Sequence, residues 1–306
     1  MATTVHGSVL GEMERLSARV QREVWEAVER LEGRSTPERR WTEVNERMSM
    51  RSRDLVLEDG DVFERASANT AVVEGRFGLE PIGSAGAEAP APFRVVGVSV
   101  VLHARNPMVP AGHANFRCFE RERDGRRERW FGGLAELTPS YLFEEDAVEF
   151  HGALRAACDR HDRGYYPRFK SWCDRYFRIA HRGEQRGLGG IFFDRLDDRD
   201  PAELLALVGD CASAFRSAYL AIVERRRRLP YGEAHKRWQA LRNGRYVEFN
   251  LVYDAGVRFG LRAGARPDTI LTSLPATARW RHGHQPSPDS PEAALVEVLR
   301  HPREWA

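Results

Sequence analysis

The sequence has 306 residues, of which 42% are hydrophobic and 30% charged, a composition that supports a sizeable core and excludes a disordered or fibrous chain. Its 47 basic and 45 acidic residues leave a formal charge of +2, so no charge excess selects nucleic acid as a partner. There is no basic-then-apolar signal pattern at the N-terminus and no apolar run near the ~18 residues of a membrane span, so the expectation is a cytoplasmic chain without a membrane span.

The elements follow in chain order. Leu10, Met13, Leu16, Val20, Val24, Val28 and Leu31 recur at spacings of three and four, one apolar stripe on an N-terminal helix over about 7–32. Gly33 to Pro37 ends it. Arg39 to Asp61 is highly charged and reads as irregular, and Gly83 to Pro92, rich in Gly, Ala and Pro, reads as a loop. Phe93 to His103 (FRVVGVSVVLH) and His113 to Glu120 (HANFRCFE) read as strands around a Pro- and Gly-containing turn. Asp124-Gly125 signals a hairpin, and a third strand centres on Trp130 and Phe131. Helices are expected over Glu144–Asp162, Tyr166–His181, Pro201–Arg228 and Glu233–Asn243, and strands over Gly244–Tyr253 and Ile270–Leu274. Together these give an α+β chain in one domain over 1–306, with a large antiparallel sheet flanked by helices. Cys118, Cys158, Cys173 and Cys211 form no CxxC pair, which argues against zinc or dithiol chemistry.

Side chains alternate faces along a strand. Gly97, Ser99, Val101 and His103 share one face of the first strand; His113, Asn115 and Arg117 share one face of the second, opposed by Ala114, Phe116 and Cys118. If the strands pair, Ser99, His103, His113, Asn115 and Arg117 form one polar patch. That patch is either the wet face of a half-buried sheet or a site. Imidazole exchanges protons near neutral pH, and arginine holds a carboxylate in a fixed fork. A site of this kind suits an anionic substrate that needs proton transfer.

The segments around this patch are identified as a resemblance to the oxygen-dependent coproporphyrinogen oxidases. The resembling blocks are Gly97–Glu120, Trp130–Pro139 (WFGGLAELTP), Lys170–Asp194 (KSWCDRYFRIAHRGEQRGLGGIFFD), Gly244–Leu261 (GRYVEFNLVYDAGVRFGL), Ser273–Trp280 (SLPATARW) and, more weakly, Asp59–Asn69. The resemblance implies a large antiparallel sheet sandwiched by helices and a homodimer formed through about Tyr246–Arg281. It implies oxidative decarboxylation of two propionates of coproporphyrinogen III, with O2 as co-substrate and no organic cofactor. His113 corresponds to the proton donor proposed for the family. Ser99, Asn115, Phe116 and Arg117 correspond to substrate contacts, as do Gly264, Ala265 and Arg266 in a second loop. His103, His113, His151 and His181 align with histidines described in some members as divalent-metal ligands; His103 and His113 could equally carry protons or donate to carboxylates. Arg168, Arg182 and Arg186 could pair with propionates, or brace their block against Asp174, Glu184 or Asp194.

The chain also departs from the pattern. Glu136 stands at the position of a family aspartate thought to be catalytic, Leu134 replaces a glycine of the same block, and Ala265 replaces a glycine of the substrate loop. Arg195 replaces an aspartate, Met108 an aromatic, and Met48–Asp54 a glycine-rich stretch. Two alternatives to the oxidase therefore stand: a divergent tetrapyrrole-binding protein with little turnover, and an oxidase of another anionic porphyrinogen.

Overall fold

Ser8 starts the first helix: its Oγ accepts a hydrogen bond from the Gly11 backbone N–H at 3.2 Å, satisfying one of the unpaired donors of the first turn. The helix, α1, runs Val9–Glu32 and ends at Gly33 in the left-handed conformation. Its buried side is the apolar stripe, with Leu10, Met13, Leu16, Val24 and Val28 in the core and Val20 and Leu31 packed beside it. The computed structural model describes residues 8–36, 38–44, 48–77, 90–123 and 125–306; most of the expected Gly83–Pro92 loop, and Asp124, lie outside them.

Six strands follow: β1 (Glu38–Val44), β2 (Met48–Glu58), β3 (Phe63–Phe77), β4 (Ala91–Ala104), β5 (Ala111–Arg123) and β6 (Arg126–Thr138). Next come α2 (Glu144–Asp159), α3 (Tyr165–Tyr176), the short hairpin β7 (Arg178–Ile179) and β8 (Glu184–Gln185), and β9 (Gly189–Leu196). The main sheet has the order β1-β2-β3-β4-β5-β6-β9, every pair antiparallel. The chain continues through α4 (Pro201–Arg226), α5 (Glu233–Val252), α6 (Ala255–Ala263), α7 (Pro267–Ile270) and α8 (Pro291–Arg300).

One sheet face is a continuous apolar floor. Ala66, Ala68, Val96, Val98, Val100, Ala114, Phe116, Cys118, Ala135 and Ile191 pack there against α1, α2 and α4. By length and composition α4 could cross a membrane, which corrects the reading that no segment could; half of its most apolar window is buried here, the position of a core helix. On the other face Phe259 of α6, Ala265 and Ile270 of α7 cover Met50, Val73 and Val95. Phe249 of α5 packs on Leu134 and Phe192.

Three expectations are corrected. Arg39–Asp61 is not irregular: it contains β1 and β2. The β2 charges conceal a period of two, with Arg51 turned to Glu14 of α1 (3.7 Å) while Leu55 and Leu57 of the same face enter the core. Gly244–Tyr253 is not a strand but the second half of α5. Among its buried residues, Gln239, Arg242, Tyr246 and Phe249, with Asn250 four after Tyr246, recur at spacings of three and four, so tertiary packing selects a helix despite the aromatic and β-branched run. Ile270–Leu274 is the end of α7 and a 3-10 turn over Leu271–Ser273. There the Thr272 and Ser273 hydroxyls donate to the Thr269 and Ile270 carbonyls, a local bond that competes with strand pairing.

Candidate active site

Register assembles the polar patch. Ser99 lies opposite Asn115, and Gly97 opposite Arg117; His113 lies opposite Glu136, and Asn115 opposite Leu134. The row extends from Ser99 to Asn69 and from Asn69 to Asp54. A polar strip thus crosses four strands on the face opposite the apolar floor. Phe116 is corrected here: its side chain is buried in that floor, so only its backbone can meet a ligand on the site face.

Arg117 is braced. Its Nη1 donates to Asn115 Oδ1 (3.0 Å) and its Nη2 to Asp194 Oδ1 (2.9 Å). Gly132 makes room for this bridge: a Cβ there would lie 2.8 Å from both Arg117 Nε and Asp194 Oδ1. The Arg117 fork is therefore fixed before any ligand arrives.

Arg186, 1% exposed, is the hub of the buried end of the strip. Its Nη2 donates to Glu136 Oε1 (2.7 Å) and lies 3.0 Å from His113 Nδ1; its Nη1 donates to Asn250 Oδ1 (2.5 Å). The guanidinium carbon lies 4.3 Å from the ring centre of Phe177, 4.4 Å from that of Tyr246 and 4.8 Å from that of Phe249. Thr138 Oγ1 donates to the other carboxylate oxygen of Glu136 at 3.0 Å. Burial pushes the Glu136 carboxyl up, opposed by Arg186 and the Thr138 hydroxyl. Burial dominates because no water reaches the carboxylate. Burial, and then the Arg186 charge, lowers His113 well below the ordinary imidazole range. Burial likewise takes His103 to about 4; its Nε2 lies 2.9 Å from the Ser273 carbonyl.

The α7 segment closes over the strip. Asn69 Nδ2 donates to Thr272 Oγ1 (3.2 Å), Thr269 Oγ1 to Asp54 Oδ2 (3.4 Å), and Asn250 Nδ2 to Ser273 Oγ (3.3 Å). Gly264 caps α6 with φ 77°, and Ala265 is buried against Met48, Met50 and Val95. Arg266 stacks on Trp41 at 4.0 Å and reaches Asp268 at 3.4 Å. From the Val95 row beneath Ala265 to the Val101 row beside His113 is six residues of β4, about 20 Å at ~3.3 Å per residue. The structure thus brings Ser99, Asn115, Arg117, His113 and Glu136 together and sets Ala265 and Arg266 toward the β1–β2 side of the same face, with Gly264 just before them.

The four-histidine metal set does not assemble. His151 is buried with Nδ1 2.9 Å from Tyr166 Oη and Nε2 3.2 Å from the Leu188 carbonyl. His181 lies 2.7 Å from both Tyr253 Oη and Glu248 Oε2, in a 3-10 turn and not on the expected helix. Ring nitrogens already spent on hydrogen bonds are poor ligands, and among the described residues no group of three or more His, Cys, Asp or Glu could hold a metal. These residues do not fit a metal site. The braces anticipated for the arginines are also redistributed. Asp174 pairs with Lys170, Glu184 with Arg242 and Asp194 with Arg117. Arg168 and Arg182 bind Asp198 and Glu248, leaving Arg186 to the site.

Tyr246, Asn250, Asn69 and Asp54 are not singled out by the sequence, and Asp194 is expected there only as a brace within its own block, not as the partner of Arg117. Tyr246 and Asn250 would have emerged as a four-residue helical pair had α5 been read as one helix; Asp54 and Asn69 follow from strand parity once β2 and β3 are known. Leu134, in the place of a glycine, packs on the site face against Cys173, Phe177, Phe192 and Phe249 and walls the Arg186 pocket.

A sequence model of the family described as coproporphyrinogen III oxidase matches residues 12–305. The chain is 48% identical over 261 residues to coproporphyrinogen-III oxidase 1, chloroplastic, of Arabidopsis thaliana, covering 82% of this chain and 68% of that protein. It is 49% identical over 260 residues to the oxygen-dependent coproporphyrinogen-III oxidase, mitochondrial, of Rattus norvegicus, covering 82% and 59%. It is 43% identical over 316 residues to the chloroplastic enzyme of Nicotiana tabacum, covering 99% and 79%.

Proposed function

The chain belongs to the coproporphyrinogen III oxidase family, and from that premise we propose that it oxidatively decarboxylates two propionates of coproporphyrinogen III to vinyl groups, giving protoporphyrinogen IX in haem biosynthesis. The observation that carries this reading is the polar strip on a rigid sheet: Ser99, Asn115, the pre-braced Arg117 and His113 on one face, with Arg266 stacked on Trp41 of β1, whose row runs through Ser52, Ala71 and Gly97 to Arg117. Such a strip suits a flat substrate with carboxylates at its rim.

In each half-reaction a propionate loses CO2 and a β-hydrogen, and the two electrons released pass to O2. The porphyrinogen is itself the reductant, so no organic cofactor is needed. Arg117 holds a carboxylate in its fork. Ser99 and Asn115 orient the ring without adding charge. His113 supplies an N–H toward developing negative charge. Substrate bound between the sheet and α7 would be shielded from water, which strengthens these contacts.

The test is aerobic incubation of metal-stripped protein with coproporphyrinogen III, with an anaerobic control and products resolved by fluorescence after oxidation. Oxygen-dependent protoporphyrin is expected. Tight binding without release of CO2 would overturn the reading in favour of a tetrapyrrole carrier, the alternative that Leu134 on the site face motivates. Faster turnover of another porphyrinogen would reassign the substrate.

The reading extends to a homodimer through the region 246–281. Leu251, Val252, Leu261 and Trp280, each 45–55% exposed, give that surface the large apolar side chains an obligate interface needs. Sedimentation should find twice the chain mass, and Leu251→Glu should halve it.

A further inference from the structure

We propose that Arg186 is a positioning residue that holds His113 as its Nε2–H tautomer, so that the ring meets the substrate as a donor and never as a base at Nε2. The substrate part of this statement rests on the function proposed above; the tautomer does not.

A guanidinium carries five N–H donors and no acceptor, and it is not deprotonated in proteins. Arg186 Nη2 lies 3.0 Å from His113 Nδ1, so Nδ1 must present its lone pair. The single ring proton is then on Nε2. Among the described residues Nε2 has no hydrogen-bond partner, and it is not one of the fully buried orphan atoms. It is the one polar atom of the ring left for a ligand.

Arg186 cannot easily yield this role. One Nη2 hydrogen serves Glu136 Oε1 at 2.7 Å, the other serves His113, and Nη1 serves Asn250 at 2.5 Å. Phe177, Tyr246 and Phe249 surround the guanidinium. Glu136 is held in turn by Thr138. Glu136, 0% exposed, therefore serves the ligand only through Arg186. It closes a chain from Thr138 to Glu136 to Arg186 to His113 whose last member alone faces the ligand. The Glu136 carboxylate lies 3.9 Å from His113 Nδ1, beyond hydrogen-bond range, so it does not compete with Arg186 for the ring.

The experiment is long-range ¹H–¹⁵N correlation on protein labelled at its 10 histidines, with His113→Asn to assign the resonance. The expected spectrum at neutral pH shows a protonated Nε2 and a bare Nδ1 for His113. Arg186→Lys, which keeps a donor, should retain that pattern. Arg186→Met should give mixed tautomers and lower kcat on the order of 10²-fold. A protonated Nδ1 or an imidazolium in the parent protein overturns the proposal. So does an unchanged tautomer in Arg186→Met. If Arg186→Met does not fold, the parent spectrum still decides. Correct tautomer without turnover of coproporphyrinogen would sink the proposed function and leave this inference standing; turnover with the wrong tautomer would do the reverse.

Discussion

The two faces of the seven-stranded sheet share strands but not chemistry. Along β5, Ala114, Phe116 and Cys118 face the core with α1 and α4, while His113, Asn115 and Arg117 share the opposite face. The first set lies in the hydrophobic core and contributes stability by burial. The second is held by directional bonds to Arg186 and Asp194. A strand that alternates in this way fixes functional groups to within the precision of the packed layer beneath them.

Adjacent substitutions on opposite faces test this division most severely. Phe116→Ala should lower unfolding free energy by about 3–5 kcal/mol, leaving kcat per folded molecule nearly unchanged. Asn115→Ala, one residue away, should cost less than about 1 kcal/mol and reduce turnover. Denaturant melts paired with active-site titration read both quantities. Equal melting losses for the two variants would show that the faces are not energetically distinct.

Glu136 and Arg186 are where the site face does bury charge, and they sharpen the comparison. Glu136→Gln leaves the guanidinium without its counter-charge, and the expected loss is about 3 kcal/mol. The pH sense is set by burial, which raises the folded carboxyl above its unfolded value. The folded state then binds the proton more tightly. Between the unfolded value and the raised one, stability falls as pH rises. Glu136→Gln should abolish that slope. A slope that survives in the variant belongs to another group.

These two features were unequally legible. Alternation in Phe93–His103 and His113–Glu120 was visible because each strand has one uninterrupted apolar side, and register then followed from a short turn. β2 was hidden because Arg51 and Arg53 share a face with Leu55 and Leu57. The second half of α5 was hidden because Tyr246, Val247, Phe249 and Val252 favour strands locally, and only burial at helical spacing overrides them. Ser99, His113, Asn115 and Arg117 were readable from parity and family resemblance, whereas Asn69 and Asp54 were not, because β2 was hidden. Arg186 as their hub was not, since its partners Glu136, His113 and Asn250 come from three separate segments that only the fold brings together.

Acid should act on both faces through neutral histidines. Burial lowers His103 on the site face to about 4 and His151 in the helical layer to about 3, against an ordinary value near 6.5. Each folded value lies below the unfolded one, so the unfolded chain takes up the proton first. The stability each contributes is present above about pH 6.5 and lost as pH falls toward the folded value. For His151 the loss between pH 6.5 and pH 4.5 is about 2 kcal/mol. His151→Gln should flatten the melting profile over that window without changing the product formed. An unaltered profile would mean that the Tyr166 and Leu188 bonds do not keep the ring neutral.

The smallest effect is expected where neither face is involved. Gly125, in the turn between β5 and β6, has φ 71°, and a Cβ there would meet nothing within 4 Å. Gly125→Ala therefore introduces backbone strain alone, with no clash and no lost contact. The cost should be about 1 kcal/mol, with kcat and KM unchanged because the turn lies at the far end of β5 from His113, at its opposite terminus. A change in turnover from this variant would mean that strain at the hairpin travels the length of β5 to the strip, and that the sheet is less rigid than its packed floor requires.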